Sequence, residues 1–281
     1  MAKKLKKSVS NTLVLILTLL CLVSIVYSIV NIIKWKLDGD KINEIIEEVN
    51  DIVEVEEVDE TESDNVEIVE PKEEISKDDP YWAFVKMSLI NVDFNDLKAV
   101  NNEVVGWIQV NGTNINYPFV QTDNNTYYLT HDLERNYNSA GWVFLDYRNQ
   151  PNFSDQNTIV YAHGRYDKTM FGTLRNALTN GWLSDTNNYV FKISTPYENS
   201  LWQVFSIYHI PETNDYLKIN FNSETDFNDF IKMIKDRSDH QFNTTVTASD
   251  RIITLSTCYN ETERVVLHAK LIKYEKKILD N

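Results

Sequence analysis

Residues 11–33 contain no charged side chain and consist mostly of Leu, Ile and Val, and this run limits what the rest of the chain can do. As a helix it spans roughly 30 Å, the thickness of a bilayer's hydrocarbon layer. Lys3, Lys4, Lys6 and Lys7 precede it, and Lys34 and Lys36 follow before acidic residues take over. A flank this rich in lysine stays in the cytoplasm, so residues 1–10 read as a cytoplasmic tail and everything past residue 36 as extracellular. A cleaved signal peptide is the competing reading. The run is longer than a typical signal core, however, and no A-x-A site follows it. The expectation is one transmembrane anchor over 11–33 and a cell-membrane location.

The net charge of −15 is unevenly spread. Residues 38–79 hold nineteen Asp and Glu against three Lys, which leaves the remainder close to neutral. A near-neutral domain has no electrostatic footprint for nucleic acid. Residues 34–79 therefore read as an acidic linker. Ile42, Ile45, Ile46, Val49, Ile52 and Val53 recur at helical spacing, which predicts a transient amphipathic helix in that linker. From Glu54 to Glu74 self-repulsion predicts a disordered, extended tether.

Residues 80–281 read as the folded domain. Asp79-Pro80 suits a helix start, with Asp as cap and Pro in the first turn, and predicts helices over 81–90 and 93–100. Eight runs rich in β-branched and aromatic residues then predict strands: 104–110, 114–120, 141–145, 158–163, 189–195, 201–209, 251–257 and 264–274. Helical patterns interrupt at 169–179 and 224–236. Short strands joined this directly predict a mainly β chain that closes into a barrel.

Cys258 has no partner outside the anchor, where Cys21 lies, so a disulfide framework is excluded. Neither a Gly-rich phosphate loop nor a His/Cys set with zinc-ligand spacing is present; no metal and no cofactor is expected. Cys258 ends one strand run and Arg264 begins the next. A thiol becomes a strong nucleophile only as thiolate, and so needs a cation or a base nearby. Arg264 can stabilise a thiolate or an oxyanion but cannot act as a base. The backbone N–H of Tyr259 is a second candidate oxyanion donor. Strand alternation puts Ile252, Thr254, Ser256 and Cys258 on one, groove-lining face. His163 and His268 are the leading candidates for proton transfer, and spacing does not decide between them. The bland reading is a buried structural cysteine, a solvated arginine and packed histidines.

The run Thr254-Leu255-Ser256-Thr257-Cys258 resembles the signature of sortases, the membrane-anchored cysteine transpeptidases of Gram-positive bacteria. Gly106-Trp107-Ile108, Asn114 to Pro118, Phe144 to Asn149, Asn157 to His163, Thr169 to Gly172 and Asp215 to Lys218 are similar to class B members, in the same order. The resemblance implies an eight-stranded sortase barrel with N-terminal helices and a helix before the cysteine strand. It implies that Cys258 attacks a threonine carbonyl in the C-terminal sorting signal of a surface protein. A thioacyl enzyme forms, and a peptidoglycan crossbridge or precursor amine resolves it. It selects His163 as the acid and base and gives Arg264 the oxyanion. Asn116, Val120, Thr213, Tyr216, Leu217, Ser256 and Tyr259 match substrate-contact positions.

Three features depart from the family pattern. Ala162 stands where glycine is usual before the histidine, the loop from Cys258 to Arg264 is short, and Tyr259-Asn260 replaces an acidic residue. Asp79-Pro80-Tyr81 also resembles the lid of pilin-polymerising class C sortases, although a helix cap explains the same residues. A non-catalytic, membrane-tethered binding module is the reading from a different class.

Overall fold

The computed structural model describes residues 2–58 and 65–278, with side chains from residue 11 onward. The chain divides into two compact units, Met1–Lys41 and Ile42–Asn281. The described residues of the first unit are helical throughout. They form the N-terminal part of α1 (Ala2–Ile52), which no proline interrupts. Its apolar side chains from Leu13 to Ile33 are exposed, and by length and composition the helix can cross a membrane.

The second unit begins inside the expected linker. Ile42, Ile45, Val49 and Val53 are buried, and they share one core with Ile90, Val92, Phe94 and Leu97. Apart from Ile52, which is exposed, the helically spaced stripe is thus a packed face. β1 (Val55–Glu57) and β2 (Val66–Ile68) follow it. Two stretches of the expected tether are therefore paired strands. β1 lies antiparallel to β3 (Ile90–Val92), and β2 to the last strand. The apolar side chains of the segment supply the reason: Val55 and Val69 pack against the main core, and Val58 and Val66 against a smaller one. The rest of the expected disorder, at 59–64, lies outside the described residues.

Asp79 Oδ1 accepts the Tyr81 N–H at 2.9 Å and so starts α2 (Tyr81–Phe84). This helix is shorter than expected, because Ile90–Val92 is drawn into β3. α3 (Asn95–Val100) leads into the barrel. The strands are β4 (Val104–Val110), β5 (Asn116–Val120), β6 (Phe144–Leu145) and β7 (Asn157–Tyr161). A short 3₁₀ turn, Leu174–Leu178, and α4 (Asn180–Leu183) come next, where a longer helix over 169–179 was expected. Lys168 and Met170 adopt positive φ, and Met170 bridges back to Gly164. That path folds residues 165–173 into a loop.

β8 (Val190–Ser194), β9 (Glu198–Pro211), α5 (Glu224–Asp236), β10 (Ile252–Cys258) and β11 (Glu263–Lys276) complete the unit. The strand order is β10–β7–β6–β5–β4–β8–β9–β11, and β11 pairs again with β10. Eight strands therefore close, as the sequence predicts, and β2 pairs with the far end of β11. Trp107, Phe119, Phe153, Trp202, Ile253, Leu255 and Leu267 belong to the main core. Ser223 Oγ accepts the Asp226 N–H and caps α5. The helix then packs Phe227, Phe230, Ile231 and Ile234 over Phe205, Tyr208, Ile252 and Val266. Burial at roughly 25 cal/mol per Å² of apolar surface makes this face the main restraint on α5.

Candidate active site

Strand register delivers the three candidate chemical groups to one rim. β10 and β11 are antiparallel, with Cys258 directly opposite Arg264. β10 and β7 are parallel, with Ser256 opposite Tyr161, so the chain leaving β7 reaches His163 beside the end of β10. Cys258, His163 and Arg264 line the same cavity of about 360 Å³. The Cys258 thiol is free and half-buried.

The two chain ends touch closely. Thr257 Oγ1 donates to the Ala162 carbonyl at 2.7 Å. A Cβ on Gly164 would lie 2.0 Å from the Cys258 carbonyl oxygen, a separation no side chain can occupy. Glycine at 164 is what lets the histidine segment lie against the cysteine strand.

His163 Nε2 lies 2.7 Å from the Leu129 carbonyl. A carbonyl only accepts, so Nε2 carries the hydrogen. In the neutral ring Nδ1 is then the free base. Gly141, at φ +62, backs this arrangement: a Cβ there would come 2.4 Å from the Tyr128 carbonyl and 3.1 Å from His163 Cδ2. Arg264 Nη2 pairs with Glu212 Oε1 at 2.8 Å, and Nη1 donates to the Glu263 carbonyl at 3.2 Å. The Glu212 side chain is 62% exposed, so this pair is solvent-screened and exchangeable.

The Tyr259 N–H differs from expectation. It donates to the Glu263 carbonyl at 2.9 Å, because the short loop closes on itself there, and so it is not offered to the cleft. The groove is also shorter than strand alternation predicts. Thr254 is fully buried and bonds to Asn157 Oδ1 and His268 Nδ1, each at 2.9 Å. Ile252 packs in the core under α5. Only Ser256 and Cys258 of that face reach the cavity.

His268 lies at the covered end. It is fully buried between Thr254 and the Tyr208 hydroxyl, 2.9 Å from Nε2. Burial, helped by the Arg237 charge, pushes its pKa down to about 3. It is a neutral packing group, and none of the other three histidines lines the cavity. His131 stacks on Tyr127, His209 faces Asp239, and His240 meets the Tyr189 hydroxyl.

Of the expected substrate contacts, Thr213, Tyr216, Leu217 and Ser256 line the cavity. Tyr216 Oη and Ser256 Oγ are 3.0 Å apart, and burial raises the Tyr216 pKa, so the phenol is neutral. Asn116, Val120 and Tyr259 lie outside the lining. Asn116 Oδ1 accepts from Trp107 Nε1, and Val120 is fully buried. The Tyr259 ring faces Arg175 and His209 instead. Residues 79–82 do not line the cavity either; Tyr81 packs with Phe84, Leu201 and Ile272.

Sequence reasoning missed Asn125, Leu129, Phe144 and Tyr161, all of which line the cavity. Phe144 and Tyr161 sit inside motifs already singled out. Asn125 and Leu129 come from a polar loop that carries no local signal.

The sortase domain family matches residues 108–272. Sortase B of Listeria monocytogenes is 35% identical over 184 residues, covering 64% of this chain and 74% of that protein. A Staphylococcus aureus sortase B–substrate complex is 36% identical with a TM-score of 0.60, covering 64% of this chain and 84% of that one. A sortase B complexed with triglycine is 35% identical with a TM-score of 0.61, covering 64% and 85%.

Proposed function

This chain belongs to the sortase family of cysteine transpeptidases, on its class B branch, and we propose that it joins surface proteins to the cell wall from an N-terminal membrane anchor. The observation that carries the reading is the convergence of Cys258, His163 and Arg264 on one cleft. The Cys258 thiol gives its proton to His163 and attacks the carbonyl of a threonine in a C-terminal sorting signal. Arg264 exchanges Glu212 for the oxyanion, a charge-assisted bond that strengthens as the tetrahedral intermediate forms. The C–N bond breaks, and the protonated His163 supplies the proton to the leaving amine. A thioester to Cys258 remains. An amine of peptidoglycan or its precursor then attacks, gives its proton to His163 and expels the thiolate. A related protein is complexed with triglycine, which has a terminal amine of this kind.

The polar and aromatic side chains of Thr213, Tyr216 and Ser256, with the apolar Leu217, suit an extended peptide lying along the cleft. α1 would hold the enzyme in the membrane with residues 1–10 in the cytoplasm and the barrel outside. The test uses the full chain in detergent with quenched peptides that carry sorting-signal variants and a threonine at the cleavage site. Cleavage after the threonine, with triglycine added to the new C-terminus and both steps absent in Cys258→Ala, is the expected result. Equal cleavage by Cys258→Ala would overturn the mechanism.

A further inference from the structure

Asp146 follows β6, is fully buried and does not line the cleft. Its carboxylate nevertheless holds residues that do. Oδ2 accepts from Tyr161 Oη at 2.9 Å, Asn125 Nδ2 at 2.9 Å and Arg148 Nη2 at 2.8 Å. Oδ1 accepts from Arg148 Nε and from the Arg148 N–H, both at 2.9 Å. Asn125 is held from its other side as well, since its Oδ1 accepts the Tyr147 N–H at 2.9 Å. Arg148 Nη2 then reaches across to the Leu217 carbonyl at 3.2 Å. Asn125, Tyr161 and Leu217 all line the cavity with Cys258.

One carboxylate–guanidinium pair therefore ties together three separate stretches of chain: the loop that carries Asn125, the end of β7, and the segment at 212–218. Burying a carboxylate is costly unless its lone pairs are filled. Here five donors converge on two oxygens. Burial by itself would raise the Asp146 pKa, but the bonds from Arg148 and Tyr161 outweigh it and hold the group below its ordinary range. Arg148 is 39% exposed on its side chain, so the guanidinium reaches the buried acid from the surface. Apolar packing could close the same rim. What the ion pair adds is direction, because a planar fork fixes both partners in angle as well as distance.

We infer that Asp146 and Arg148 are positioning residues that set the width and register of the peptide cleft. This rests on the sortase reading above and extends it, since it assigns substrate selection partly to a pair that never touches the peptide. Neither residue contacts Cys258 or His163, so the pair acts on KM and on discrimination between signals more than on the bond-making step.

The full chain in detergent, with Asp146→Asn, Arg148→Gln and Arg148→Lys, tests this through two readouts. The first is kcat and KM on a peptide that the parent cleaves. Asp146→Asn should raise KM about tenfold or more and leave kcat within about threefold. Arg148→Gln should raise KM less, and Arg148→Lys should recover part of that loss. The second readout is backbone hydrogen exchange, which needs no activity. Exchange should quicken at 121–126 and 212–218 together in Asp146→Asn, and chiefly at 212–218 in Arg148→Gln, while β10 and β11 stay protected. A fall in kcat at constant KM, or unchanged exchange in both segments, overturns the assignment. If Asp146→Asn does not fold, Arg148→Gln still decides it. If no peptide is ever cleaved, the functional reading fails, and the exchange result still judges the pair.

Discussion

The two ends of the β10–β11 ladder hold similar side chains in opposite conditions. At one end Thr254 and His268 face each other across the strands with Tyr208, and α5 covers them. At the other, Cys258 faces Arg264, with His163 beside them in an open cleft. Both ends offer a histidine and a hydroxyl or thiol. The covered histidine is kept neutral by its burial and the Arg237 charge, and two hydrogen bonds fix its ring. The cleft histidine is held through one ring nitrogen by the Leu129 carbonyl. The residue types are alike, but His268 sits on β11 under α5, whereas His163 follows β7 at the open cleft.

Replacing the two histidines in turn is the strongest way to break that comparison. His163→Gln should lower kcat/KM by about 10²–10⁴-fold, the usual worth of a positioned acid and base. Its stability should change by no more than about 1 kcal/mol, the worth of one hydrogen bond. His268→Gln should do the reverse, with near-parental activity per folded molecule and a clear stability loss. Peptide cleavage alongside urea unfolding measures both. A well-folded but inactive His268→Gln would return that histidine to the chemistry.

Gly164→Ala ranks next. The added methyl meets the Cys258 carbonyl, so the histidine segment must move away from the cysteine strand. Overpacking of this kind costs about 1–3 kcal/mol, and the displaced ring should lower kcat/KM by more than tenfold. Thermal unfolding and cleavage rates on one preparation check both effects. Parental values for both would mean that the close approach has no part in the site.

Much of the barrel was legible because each strand's burial pattern is written in β-branched and aromatic residues. β4 has the predicted bounds, and so does α5. The strands at 55–57 and 66–68 were not legible. Their few valines sit among acids, and what orders them is a partner distant in sequence: β3 for one, β11 for the other. The site divides in the same way. Cys258 and Arg264 are neighbours across one hairpin, so local reading found them. His163 reaches them only through the parallel β7–β10 pairing, which no local pattern encodes, and it took the resemblance to sortases to separate it from His268. Asn125 and Leu129 join the cleft through a long loop whose path depends on Asp146 and His163.

Acid should separate the two ends more gently. His268 has its pKa depressed to about 3 in the fold, against about 6.5 in an unfolded chain. The unfolded state therefore takes up the proton first. The stability that His268 contributes is complete above pH 6.5 and is lost as pH falls towards 3, by up to about 1.4 kcal/mol per unit. The Asp146 pKa is lowered as well, so its contribution fades only below about pH 4, the ordinary carboxylate value. His268→Gln should thus start less stable at pH 8 but lose about 1.6 kcal/mol less than the parent between pH 6.5 and 5. Urea titrations at both pH values measure this, and parallel losses in the two proteins would remove His268 as the acid-sensitive group.

The smallest effect concerns the open end alone. Glu212 holds Arg264 in the resting cleft through a pair exposed on the glutamate side, and such pairs contribute about 0–1 kcal/mol. If Arg264 must leave Glu212 to meet an oxyanion, that energy is part of the barrier. Glu212→Gln should then raise kcat/KM by up to about fivefold at low salt, the kinetic equivalent of 1 kcal/mol. The gain should shrink as salt screens the parental pair, because the variant has no charge left to screen. Stability should stay within about 0.5 kcal/mol. A loss of activity would mean that the carboxylate aims the guanidinium at the cleft rather than restraining it. The open end would then be pre-set by a charge pair of its own, as the covered end is by hydrogen bonds.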